Sequence, residues 1–60
     1  MSSNFNPGDR VIATEALGRG VGKGTKGVVT HESTFHGLLA VRFENGSEIQ
    51  AVKLHQVEHA

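Results

Sequence analysis

Three cations on a glycine-rich stretch are the residues of this chain best suited to meeting a charged partner. Between Glu15 and Glu32 lie Arg19, Lys23 and Lys26, interleaved with Gly18, Gly20, Gly22 and Gly24 and with no acid among them. Lys and Arg on a pliable backbone suit gripping the phosphates of a nucleic acid or an acidic protein surface. Three charges give only weak, salt-sensitive binding. A solvated connection that keeps the protein soluble would carry the same residues. Arg42 joins the set if it lies on the same face. Phe35, Leu38 and Leu17 are the apolar residues expected at the surface. There they would form a protein-docking patch or a dimer contact, or cover the open ends of a small barrel.

Other spacings that suggest chemistry do not hold up. Gly22-Lys23-Gly24-Thr25-Lys26-Gly27 fits the G-x-G-x-x-G pattern that lets backbone amides approach a pyrophosphate. That pattern works at the start of a helix inside a βαβ unit. Here a β-branched strand sequence follows, and sixty residues cannot hold the unit. Gly22-Lys23 is followed by glycine and not Ser or Thr, so it is no phosphate loop of the Walker type either. His31 and His36 flank one turn, and His55 and His59 lie near the C-terminus. A zinc site needs three or four converging ligands. Isolated histidines of this kind are more often surface side chains, so no metal is expected. There is no cysteine nucleophile and no recognisable Ser–His–acid arrangement. The expectation is a protein without catalytic activity and without a cofactor.

The elements that must position these residues are short strands. Residues 1–6 read as a frayed tail, because Ser, Asn and one Phe leave little to bury. Pro7-Gly8 signals a turn that opens a domain spanning 7–60. Residues 9–14 then alternate, with Val11 and Ala13 on one face and Arg10, Ile12 and Thr14 on the other. The glycines of 15–26 disfavour helix and weaken a strand, which predicts a mobile loop or a loose hairpin. Residues 27–32 are β-branched and read as a second strand. A turn at 33–37 follows, and then 38–44, where Leu39, Val41 and Phe43 alternate with Ala40, Arg42 and Glu44. Asn45-Gly46 predicts a type I′ hairpin turn into 47–52. Residues 53–56 suit a single 3₁₀ turn, and 57–59 close as a fifth strand. The expected core is Val11, Ala13, Val29, Leu39, Val41, Phe43, Ile49, Val52, Leu54 and Val57.

Composition narrows the class further. Six Lys and Arg balance six Asp and Glu, unlike strongly basic nucleic-acid binders. A domain this small buries only about 60% of its unfolded surface and is marginally stable. With no cysteine for disulfides, tight packing or self-association must reinforce it, so a homo-oligomer is a live expectation. The lack of cysteine fits a reducing compartment. No apolar run approaches the ~20 residues of a membrane span, and residues 1–6 do not read as a signal peptide. The expected setting is the cytoplasm, away from membranes.

The order of these signals resembles the SH3-like barrel family. The matching features are Pro7-Gly8-Asp9-Arg10-Val11 and the long loop after them, Gly24-Thr25-Lys26-Gly27-Val28-Val29, Val41-Arg42-Phe43-Glu44-Asn45-Gly46, Val52 to Leu54, and the closing Val57-Glu58. The resemblance implies an all-β, five-stranded SH3-like barrel with a short 3₁₀ turn before the last strand. Its motifs are turn and core signals, which specify a fold and not an activity. Within the family the pattern is similar to small barrels accompanying electron-transfer enzymes and to KOW-type barrels of ribosomal and transcription proteins. Type II dihydrofolate reductases, tetramers with a central pore, also use this fold. Their active strand carries Val-Gln-Ile-Tyr soon after Gly-Ser. Here Gly46-Ser47 is followed by Glu48-Ile49-Gln50-Ala51, without the tyrosine.

Three functional readings follow. The first is an accessory or regulatory binding module that docks a protein partner through the glycine-rich loop, with Arg19, Lys23 and Lys26, and the Phe35 turn; Arg42 joins these basic residues if it lies on the same face. The second is a small nucleic-acid-binding protein using the same basic residues. The third, far behind, is the pore-type oligomeric enzyme.

Overall fold

Alternation of apolar and polar residues dictates most of the architecture. In the computed structural model, which describes residues 5–33 and 38–60, with 32 and 33 in their backbone only, the chain is all-β with five antiparallel strands. They are β1 (Arg10–Ala13), β2 (Lys26–Ser33), β3 (Leu38–Phe43), β4 (Glu48–Lys53) and β5 (Val57–His59). A 3₁₀ turn, Leu54–Gln56, joins β4 to β5. The sheet order is β4-β3-β2-β1-β5, so β4 and β5 are its edges and no ladder joins them. No helix among the described residues is long and apolar enough to cross a membrane.

One face of the sheet is the core. It contains Val11, Ala13, Val29, Leu39, Val41, Phe43, Val52 and Val57, all of them expected from the sequence. Ile49 is half-buried against it. The ladders on both sides of Ala40 are irregular. On one side of Ala40 the β2–β3 register shifts between Val29 and His31, and on the other the β3–β4 register shifts between Leu39 and Val41. Such bulges add local twist and curl a small sheet. Thr30 on the bulge donates its hydroxyl to the Ala40 carbonyl at 3.2 Å.

The structure corrects the sequence reading in five places. Leu54 is 41% exposed, because the 3₁₀ turn points it away from the core. Phe5 is not part of a frayed end. It is 4% exposed and stacks on the His59 ring at 4.3 Å. Leu17, expected at the surface, packs against the core. The loop 14–25 is no loose connection. Val21 is 2% exposed and its amide donates to the Gly18 carbonyl, while Leu17 donates back to the Val21 carbonyl. At its base Ala13 is tied to two residues, accepting from the Gly24 amide and donating its own amide to the Thr25 carbonyl. Finally, the β3–β4 turn is not type I′, since only Gly46 has a positive φ, at 91°. The Gly46 amide donates to the Phe43 carbonyl, and the Phe43 amide donates to the Ser47 carbonyl. That pattern fits the three-residue hairpin loop in which a type I turn is followed by a left-handed glycine. The predicted turn at 33–37 lies largely outside the described residues.

The opening turn behaves as Pro7-Gly8 foretells. Gly8 takes φ 96° after the fixed φ of proline, and the Asp9 amide donates to the Asn6 carbonyl. The far end of β1 is fastened to the 3₁₀ turn. Thr14 donates its amide to the Gln56 carbonyl and its hydroxyl to the His55 carbonyl, both at 2.9 Å. Gln56 in turn donates to the Glu15 carboxylate at 3.1 Å.

Candidate functional site

Residues opposite one another in an antiparallel ladder share a face. Arg10 on β1 stands opposite Val28 on β2, and Val28 stands opposite Arg42 on β3. The outer face of the sheet therefore carries a cross-strand row of cation, aliphatic side chain and cation. Adjacent strands lie about 4.8 Å apart, so the two arginines root about 10 Å from each other. Lys26, two positions before Val28, lies on the same face beside Glu44, whose amide donates to the Lys26 carbonyl at 2.9 Å.

These side chains line a groove of about 610 Å³. Val28, 41% exposed, and the small residues Gly27, Gly46 and Ala60 supply its apolar part. Gly27 borders the groove through its backbone, and its missing side chain belongs to the inner face. A Cβ there would lie 2.8 Å from the Arg42 carbonyl oxygen and 2.9 Å from both Phe43 Cδ1 and Val41 Cγ1. Only glycine lets β2 approach β3 this closely. Three of the lining side chains are cationic and one, Glu44, is anionic. Among the described residues none of Arg10, Lys26 and Arg42 is held in an ion pair, although Glu48 stands opposite Arg42 in the register. Their charges face solvent.

The structure brings together Lys26 and Arg42 of the five residues singled out from sequence, and adds Arg10. Arg19 sits at the tip of the loop 14–25, with its carbonyl held by the β3–β4 turn. Ser47 Oγ donates to it at 2.7 Å and Asn45 Nδ2 at 3.5 Å. Lys23 is exposed in the turn that leads into β2 and does not line the groove. Phe35 lies outside the described residues. Arg10 had one visible signal, its alternation with Val11. What made it a site residue was the register of β1 against β2, which no local pattern encodes.

Among the described residues no three His, Asp or Glu converge as a metal ion would require. His31 lies 3.3 Å from the Thr30 hydroxyl, and His59 is stacked on Phe5. The groove can therefore hold an anion against an aliphatic patch, by charge and by shape. No protein-family model matches the chain, and neither a curated protein nor a solved structure matches it significantly.

Proposed function

We propose that this protein is a non-catalytic docking module of SH3-like barrel architecture that binds an acidic segment of a protein partner in the outer groove. The single observation that carries the reading is the Arg10–Val28–Arg42 row with Lys26 beside it. These are cations from three neighbouring strands, without ion pairs among the described residues, around an exposed aliphatic side chain. Desolvating three cations without a partner would be unfavourable, whereas acidic groups delivered with apolar neighbours satisfy both parts of the groove.

The barrel part of this reading is supported by the register shifts on both sides of Ala40 and by the ties from Thr14 and Glu15 to the 3₁₀ turn. Those ties draw the β4 end of the sheet back towards β1 through side chains. Docking by strand addition is less suited to this sheet. β5 is only three residues long, and β4 carries a register shift, two features that blunt an edge. A cysteine-free chain fits a reducing, cytoplasmic setting.

Nucleic acid is the second reading, because the same cations would meet phosphates. The groove offers aliphatic Val28 where base stacking wants an exposed aromatic ring, and Glu44 opposes phosphate. Three cations give a small counterion-release term. A protein segment fits better.

The test is an NMR titration of the labelled protein with a short Glu-rich peptide interspersed with Leu, and separately with a mixed-sequence DNA duplex. The expected result is salt-sensitive shifts at Arg10, Val28 and Arg42 with the peptide, weaker shifts with DNA, and roughly tenfold weaker peptide binding for Arg42→Glu. Stronger shifts with DNA would move the assignment to nucleic acid. No shift with either would remove the groove as a docking site.

A further inference from the structure

Arg19 occupies a backbone position that its side chain makes unfavourable. Its φ is 56°, the only left-handed non-glycine residue among those described, and it lies between Gly18 at 84° and Gly20 at 79°. The region is easy for glycine and tolerated by Asn or Asp. For a long side chain it brings Cβ against the backbone. The loop itself requires the conformation, since it presents the Arg19 carbonyl to Ser47 Oγ and Asn45 Nδ2. Every residue type has that carbonyl, and glycine would supply it without strain. Arg19 is exposed, and among the described residues its side chain makes no hydrogen bond or ion pair.

We propose that Arg19 is a specificity-determining contact of the docking groove, tolerated in a strained position because its guanidinium reaches the bound acidic segment. The inference deepens the docking reading and rests on it. Two observations support it together. The backbone conformation works against arginine, and the clamp holds this one arginine against the Asn45–Ser47 turn, whose Gly46 lines the groove. On this proposal the cationic surface extends from Arg10, Lys26 and Arg42 past the Gly46 end to Arg19, which does not itself line the groove. A partner that uses it carries acidic groups over more than the width of the groove, so peptides of different acidic length are discriminated there. Fixing the loop tip in advance lowers the ordering penalty on binding.

The test compares the intact protein with Arg19→Gly, Arg19→Lys and Arg42→Glu, using the Glu-rich, Leu-containing peptide as probe. Thermal unfolding and peptide affinity are measured for each. Arg19→Gly is expected to keep or raise the unfolding temperature while weakening the peptide roughly threefold and flattening its salt dependence. Arg19→Lys is expected to recover most of the affinity. A lower unfolding temperature for Arg19→Gly would show that the side chain supports the fold and would overturn the inference. Peptide binding lost in Arg42→Glu but unchanged in Arg19→Gly would overturn it alone, leaving the groove intact. An intact protein that does not bind the peptide would remove both.

Discussion

On its inner face the sheet formed by β1, β2 and β3 presents Val11, Val29, Val41 and Phe43, each at most 2% exposed. On its outer face the same strands present Arg10, Lys26, Val28 and Arg42, all exposed. The two faces alternate along one backbone, yet they answer to different physics. Inside, each fully buried side chain contributes on the order of 1.5–3 kcal/mol, and a domain of this size has few such residues to lose. Outside, the charges are exposed and make no ion pair among the described residues, so no contact described there accounts for their clustering. The difference separates the residues that make the sheet from those the sheet presents.

Substitutions can break this division or sharpen it. The largest effect is expected inside. Phe43→Ala removes a ring that is 2% exposed and should lose about 3–5 kcal/mol, leaving most of the chain unfolded at room temperature by circular dichroism. Phe5→Ala tests whether the inner face extends to the N-terminal segment. A drop in the urea midpoint close to that of a core residue is expected, and an unchanged midpoint would return Phe5 to a frayed tail.

Gly27→Ala also acts on the inner face, beneath the groove. Its Cβ would press on the Arg42 carbonyl oxygen at 2.8 Å, a backbone atom that cannot swing away, with Phe43 and Val41 close behind. A loss of about 1–3 kcal/mol is expected, together with a widened β2–β3 spacing and altered amide shifts along the groove. A neutral Gly27→Ala would mean that the close approach of β2 to β3 is not what sets the groove. Ser47→Ala should have a smaller effect, about 0.5–1.5 kcal/mol, by deleting the 2.7 Å bond to the Arg19 carbonyl. Faster amide exchange confined to the loop 14–25 would accompany it.

Period-two alternation made most of the inner face legible in the sequence. Val11 with Ala13, and Leu39 with Val41 and Phe43, state which side is buried without any knowledge of neighbours. What has no period stayed hidden. Phe5 and Val21 are single apolar residues among Asn, Ser and Gly, and only tertiary contact makes them core. Leu54 looks apolar enough to be buried, but a 3₁₀ turn after β4 points it outward. Asn45-Gly46 announced the hairpin correctly, while the choice between two and three loop residues rested on Asn45 keeping a negative φ. The site was the least legible part. Lys26 and Arg42 could be singled out as cations, but their meeting with Arg10 across Val28 depends on strand register. Arg19 looked like a loop charge, and its left-handed backbone and clamp emerge only from the folded arrangement.

The measurement that tests the division of faces most directly is the urea unfolding midpoint and peptide affinity of one triple variant, Arg10→Gln, Lys26→Gln and Arg42→Gln. Surface changes that remove no packing should leave stability within about 0.5 kcal/mol per site. The predicted result is a midpoint close to that of the unaltered protein, with salt-sensitive peptide binding abolished. A midpoint that falls as far as it does for a core substitution would contradict the account, because the outer cations would then belong to what holds the sheet together.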